Sequence, residues 1–222
     1  MPMYYDLTYA ISTKTIVFPG DPIPQIKSLC SLCNGDPFSS FLLSFQNHAG
    51  THIDFPSHII PNGKNSNDFS MDNFIGDCLI YEIPDEDCID VNHLEQIDFN
   101  NIRMVFFKTK NSRRRLLQQE KFTRDFVYIT PQTATVLAQK KIKMVGIDYL
   151  SLDPFDDNEL KTHKILLGQN ILIVESLDLT HIPAGKYFVV ISPLKINDNL
   201  DALPARVIAF QDFILNKSQE GR

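Results

Sequence analysis

Apolar residues recur along this chain in short runs of strand length, separated by polar breaks that often hold Gly or Pro. The runs at residues 41–45, 78–83, 103–107, 126–129, 144–147, 171–174, 187–191 and 206–210 are rich in Val, Ile, Phe and Tyr and read as strands. Helices are fewer. Thr130 caps one that has Pro131 at its first position and runs to about Lys141, and a shorter one spans 91–97 behind Asp90. A third covers 158–167, with Asp156 or Asp157 to cap its start and Gly168 at its end. The basic run Arg113-Arg114-Arg115, beside Lys108 and Lys110, reads as a solvated loop between strands. There is no internal repeat, heptad or low-complexity segment, and residues 217–222 read as a disordered tail. The pattern predicts a mixed α/β fold with a mixed sheet, in one domain over residues 1–222.

Composition narrows the class. At 222 residues, 43% hydrophobic and 22% charged, the chain is long enough to bury a sizeable core. A net charge of −6 argues against a nucleic-acid or anionic-membrane surface. No apolar stretch reaches the ~18 residues of a membrane span, and the polar N-terminus, with Asp6, Thr8 and Lys14, does not read as a signal peptide. Cys30 and Cys33 form a C-x-x-C pair, but Cys78 and Cys88 do not complete a second half. Four free thiols in a cytoplasmic protein are expected.

The chemistry concentrates in one segment, His48-Ala49-Gly50-Thr51-His52-Ile53-Asp54-Phe55-Pro56-Ser57-His58, which holds three of the six histidines. Imidazole and carboxylate are the usual ligands of a borderline divalent ion, and an open site uses about three of them plus water. Gly50, the β-branched Thr51 and Ile53, and Pro56 oppose a helix. On an extended chain His52 and Asp54 share a face, and a bend at Gly50 brings His48 round to join them. His58 lies just beyond Pro56. Farther on, His163 sits inside the third helix, and Glu175 follows an apolar strand, where a buried carboxylate needs a cationic partner. That partner is a metal ion or an Arg or Lys. Zinc is favoured by the histidines, and manganese tolerates the same donors.

The segment resembles the H-x-G-T-H-x-D-x-P-x-H motif of the cyclase-like metal-dependent hydrolases, the family of the bacterial kynurenine formamidases. The resemblance extends through Asp6-Leu7-Thr8, Phe18-Pro19-Gly20-Asp21-Pro22, Gly146-Ile147-Asp148 with Ser151 and Asp153, Thr162-His163-Lys164, Ile173-Val174-Glu175 and Pro204-Ala205-Arg206. It implies a swivelling β/β/α fold and a homodimer or larger assembly. It also implies that His48, His52 and Asp54 ligate one ion and His163 a second, with Asp54 and Glu175 shared, one or two ions being bound. His58 is then the proton donor and acceptor. The implied reaction is hydrolysis of an aryl formamide such as N-formylkynurenine to the amine and formate. Phe18 stands where kynurenine formamidases carry a substrate-lining tryptophan, and this chain has no tryptophan. Its ring either stacks on an aromatic substrate or packs under an N-terminal loop. Two alternatives stand beside this reading: a cyclic-amide or lactone hydrolase of the isatin-hydrolase branch, and a metal-binding protein without catalysis. His and carboxylate donors with a spare His58 weigh against the second, because structural zinc sites are usually closed and cysteine-rich.

Overall fold

All eight apolar runs form strands in the structure, a computed structural model that describes residues 4–83 and 85–211. The tail expected at 217–222 lies outside the described residues. The strands are β1 (Tyr4–Asp6), β2 (Gln25–Cys30), β3 (Ser40–Ser44), β4 (His52–Asp54), β5 (Ile75–Ile83), β6 (Cys88–Ile89), β7 (Met104–Thr109), β8 (Tyr128–Ile129), β9 (Met144–Ile147), β10 (Leu172–Glu175), β11 (Gly185–Pro193) and β12 (Ala202–Phe210). The helices are α1 (Lys110–Arg113), α2 (Pro131–Ala138) and α3 (Lys161–Gly168).

Seven strands close a ring in the order β12-β11-β5-β7-β9-β10-β4, with β4 returning to pair with β12. The four strands β5, β7, β9 and β10 are parallel, and the remaining pairings are antiparallel, so the sheet is mixed as expected. Along one edge β12 serves two neighbours, with residues 202–204 on β4 and 208–210 on β1. Closure removes the open strand edges that would otherwise invite non-native pairing.

Alternation along these strands divides the core in two. Ile53, Ile80, Met104, Phe106, Val174, Val189 and Val207 point into the barrel. Their neighbours Val105, Phe107, Val145, Ile147 and Ile173 point outward and are covered by Ala134 and Leu137 of α2 and Leu166 and Leu167 of α3. Strands buried on both faces are apolar at successive positions, which is why these segments are continuous runs in the sequence. Gly146 on β9 has no room for a side chain, since a Cβ would lie 2.5 Å from Phe106 and 2.6 Å from Leu177.

Local chemistry moved several helix boundaries. Thr130 caps α2 by accepting the N–H of Thr133, but the helix stops at Ala138, short of Lys141. The helix expected at 91–97 is one 3-10 turn, Val91–Leu94, behind Asp90. Asp157 does accept the N–H groups of Glu159 and Lys161, yet Leu160 adopts a left-handed φ of 49°, so α3 begins only after it. Its end is closed by Asn170 rather than Gly168: Asn170 is left-handed at φ 56°, and the N–H groups of Asn170 and Ile171 donate to Leu167 and Leu166. The basic run is exposed, as expected, but it is not a plain loop. Lys110–Arg113 is a helical turn capped by Thr109 and pinned by the buried Asp148, which accepts the N–H groups of Thr109 and Ser112. Three of the cations here are paired, Lys110 with Asp87, Arg113 with Asp85 and Arg114 with Asp125.

Outside the barrel, β2 and β3 pair only with each other and form an arm.

Candidate metal centre

Gly50 makes the bend expected of it. Its φ is 65°, and a Cβ there would meet the Tyr9 carbonyl and Ile11 at 2.8 Å, so no other residue fits without displacing backbone. The chain leaving this bend becomes β4, whose Ile53 enters the barrel while His52 and Asp54 face out together. Glu175, the last residue of β10, lies directly across from His52 in the ladder. Beyond it the backbone turns at Ser176, left-handed at φ 56°, whose carbonyl accepts the Thr51 hydroxyl at 2.6 Å. The first turn of α3 brings His163 over the same spot. Its N–H and that of Thr162 donate to Asp153, a carboxylate that caps the helix beside the expected Asp157, which accepts the Lys161 N–H.

The donors converge. Asp54 Oδ1 lies 3.1 Å from His48 Nδ1 and 3.4 Å from His52 Nε2, and its Oδ2 lies 3.5 Å from His163 Nε2. Glu175 repeats the division, with Oε2 at 3.5 Å from His52 Nε2 and Oε1 at 3.2 Å from His163 Nε2. Two nearly buried carboxylates thus each offer one oxygen to His52 and one to His163. These separations match the ~3.3 Å between neighbouring ligand atoms on a tetrahedral ion with bonds of about 2.0–2.1 Å. Both Asp54 oxygens and His52 Nε2 are buried without any hydrogen-bond partner. Orphaned polar atoms of this kind are costly in a folded protein, and a divalent ion is the partner that would satisfy all three.

Each of these imidazoles is held by its other nitrogen. His52 Nδ1 donates to the Gly50 carbonyl at 2.9 Å, His163 Nδ1 to Asp153 at 2.5 Å and His48 Nε2 to Asp201 at 3.1 Å. Metal-ligating histidines are oriented this way as a rule. The field is strongly negative. Burial would strip the proton from His52, but Asp54 and Glu175 push its pKa up to about 10. His48 is pushed up to about 9, against burial, by Asp201 and Asp54. The His163 pKa rises well above its usual value through Asp153, Asp54 and Glu175, again against burial. Asp54 is held well below the carboxylate range despite its burial, chiefly by the charge of His52. A field that raises the pKa of all three imidazoles also favours a cation among them, and ligation needs each ring unprotonated at its metal-facing nitrogen.

The pocket above the cluster, about 220 Å³, is lined by His48, His52, His58, His163, Glu175 and Phe18, with Asp21, Gln46 and Leu150. Every residue singled out in the sequence is therefore at or directly beneath one cavity. The half-buried Phe18 packs on Phe122 and Phe155, ring centroids 5.3 and 5.6 Å away, and also lines the cavity. The His58 ring centroid is 4.5 Å from that of His48, and its Nδ1 lies 3.1 Å from Asp201. Sequence reasoning missed Asp201. Its signal was the one used for Glu175, a carboxylate abutting an apolar strand. All four cysteines are free, as expected.

Comparison with known proteins agrees with this geometry. Residues 5–154 match the Cyclase family model, described as "Putative cyclase". A kynurenine formamidase of Salinibacter ruber is 32% identical over 206 residues, covering 91% of this chain and 95% of the relative. One from Bacillus cytotoxicus is 26% identical, covering 92% and 96%. Among solved structures, a potential metal-dependent hydrolase with cyclase activity superposes with a TM-score of 0.81 at 30% identity, covering 96% of this chain and all of the other. A predicted metal-dependent hydrolase from Bacillus stearothermophilus gives 0.79 at 29%, covering 95% and 98%. Isatin hydrolase A of Labrenzia aggregata, at 21% identity and 0.78, shares the fold, covering 94% and 93%. On the family match and the Salinibacter relative together, this chain belongs to the Cyclase family.

Proposed function

We propose that the protein is a metal-dependent amidohydrolase that cleaves an aryl formamide such as N-formylkynurenine to the amine and formate. The observation that carries this reading is the buried Asp54 carboxylate, with both oxygens unpartnered and divided between two groups of histidines. In this reading two divalent ions, zinc by preference and manganese by tolerance, are held by His48, His52, Asp54 and Glu175 and by His163, Asp54 and Glu175. Such ions, when bound, polarise a carbonyl and acidify water to near neutral pH. His58, left over from the ligand set, takes the proton of the attacking water and delivers it to the leaving nitrogen. Phe18, braced by Phe122 and Phe155, offers a face to the aryl ring. The small cavity, about 220 Å³, suits a single substituted ring rather than a peptide.

Formate release from N-formylkynurenine by the zinc-loaded protein, lost on chelation and restored by zinc, is the test. Turnover confined to a cyclic amide or lactone would replace this reading with the isatin-hydrolase-like one, and metal binding without turnover of either would leave a metal-binding protein.

The same reading has the chain working as one domain in the cytoplasm, as a homodimer or larger assembly without nucleic-acid or membrane partners. Four free cysteines suit a reducing compartment. Among the described residues no helix is long and apolar enough to cross a membrane. The assembly is supported by the β2–β3 arm. Eight large apolar side chains in and beside it, among them Leu29, Phe38, Phe41 and Leu43, are 47–62% exposed. At roughly 100 Å² apiece they present about 800 Å², one partner's share of a standard interface. Between residues 23 and 45 the only charges are Lys27 and Asp36, too few to attract a polyanion or an anionic membrane. A second copy of this chain is the occupant we propose, and sedimentation at micromolar concentration measures it.

A further inference from the structure

Asp201 lies in none of the motifs above, yet one of its oxygens touches two histidines of the site. Oδ2 is 3.1 Å from His48 Nε2 and 3.1 Å from His58 Nδ1, while Oδ1 accepts the side-chain amide of Asn47 at 2.7 Å. Its backbone is fixed as well. The Asp201 carbonyl accepts the Phe55 N–H at 2.8 Å, and the next residue, Ala202, sits opposite Asp54 in the β4–β12 ladder. The carboxylate is therefore registered to the metal-centre strand itself.

An ionised carboxylate only accepts hydrogen bonds, so both rings must present N–H to it. His48 is then protonated on Nε2, leaving the Nδ1 lone pair directed toward Asp54. His58 is protonated on Nδ1, leaving Nε2 as its free base. We propose that Asp201 is a positioning residue that sets opposite tautomers in these two rings, making Nδ1 the metal-facing atom of His48 and Nε2 the proton-carrying atom of His58. The inference rests on the hydrolytic reading for the use made of His58, but the tautomers themselves do not depend on it.

The informative variant is Asp201→Asn. Asn47 keeps its NH₂ pointed at the former Oδ1 position, so the new amide settles with its oxygen toward Asn47 and its own NH₂ toward the two histidines. A donor then faces both rings where an acceptor stood. Long-range ¹H–¹⁵N spectra of the zinc-loaded protein read the outcome directly. Wild type should show His58 as the Nδ1–H tautomer and His48 protonated on Nε2, and Asp201→Asn should convert His58 to Nε2–H. Zinc affinity, measured by chelator competition, should fall about 10–100-fold, as for other residues that orient a ligand. With a formamide substrate kcat should drop on the order of 10²–10⁴-fold, with KM much less changed.

Asp201→Ala removes the acceptor without adding a donor and should be the milder change. A residue serving only packing gives the reverse order, because Asn is isosteric with Asp and Ala is not. A wild-type spectrum with His58 protonated on Nε2, or Asp201→Asn retaining both tautomers and full zinc affinity, overturns the proposal. Failure of the protein to hydrolyse any formamide would overturn the proposed function instead and leave the tautomer and affinity measurements standing.

Discussion

The barrel and the arm are both built from apolar β-runs, but they dispose of their edges and faces in opposite ways. In the barrel each of the seven strands has a partner on both sides, and the faces of β7, β9 and β10 are buried inside and out. In the arm, β2 and β3 have one partner each, and the consecutive residues Phe41, Leu42 and Leu43 put apolar side chains on both faces in solvent. A two-stranded ribbon of this kind is marginal on its own in water. Closure fixes register, and register is what sets Glu175 opposite His52 and Ala202 opposite Asp54. The catalytic geometry belongs to the part of the molecule that is complete in itself. The assembly proposed above would use the part that is not.

The strongest way to break the first half of that contrast is Asp54→Ala. It removes two oxygens that between them face His48, His52 and His163. Changes to residues that merely orient a ligand cost about 10–100-fold in metal affinity, so the loss here should exceed that. Bound metal by elemental analysis should fall to background and turnover with it, while the sedimentation behaviour stays as it was. Equal metal contents in wild type and variant, after growth in zinc-supplemented medium, would show that this carboxylate is not a ligand.

His58→Ala separates proton transfer from metal binding. The ring lies at the cavity, about a quarter exposed, and is absent from the pairs that join Asp54 and Glu175 to the other histidines. The variant should keep its metal and its melting temperature and lose on the order of 10²–10⁴-fold in kcat. An unchanged kcat, or loss of metal along with activity, would move His58 out of the proton-transfer role.

How much of this was legible in the chain follows the same division. The strands buried on both faces were read correctly, because continuous apolar runs have few alternatives. The bend at Gly50 and the shared face of His52 and Asp54 followed from backbone chemistry alone. What stayed hidden was set by contacts distant in sequence. Asp201, 143 positions from His58, reaches it only because β12 pairs with β4. The arm was half visible. Its second strand is an apolar run, whereas β2, reading Gln25-Ile26-Lys27-Ser28-Leu29-Cys30, mixes polar and apolar positions with no strict period, since neither face has a core to meet.

Phe41→Asp sharpens the other half of the contrast. If the arm is buried against a second copy, a carboxylate at its centre costs at least about 2 kcal/mol at an aromatic anchor, a weakening of roughly 30-fold in association. The dimer should dissociate at concentrations where wild type is intact, and the zinc content per chain should not change. A wild type that is monomeric at high micromolar concentration would remove the proposed interface.

The smallest expected effect is at Phe18, where the two roles of one ring meet. Replacing it by Trp enlarges the π-face offered to an aryl substrate, and aromatic contacts are worth about 0.5–1.5 kcal/mol beyond burial. Against this stands crowding. Phe122 and Phe155 lie 5.3 and 5.6 Å from the ring centroid, and inserting extra atoms into a packed cluster costs about 1–3 kcal/mol. Phe18 is only half-buried and faces the open cavity, so the indole can extend away from its two neighbours and most of the crowding cost is avoided. Phe18→Trp should therefore lower KM for N-formylkynurenine by up to about tenfold, which is ~1.4 kcal/mol, with kcat and melting temperature nearly unchanged. A KM that rises together with a lower melting temperature would mean that the cluster with Phe122 and Phe155, rather than contact with substrate, dictates what this position accepts.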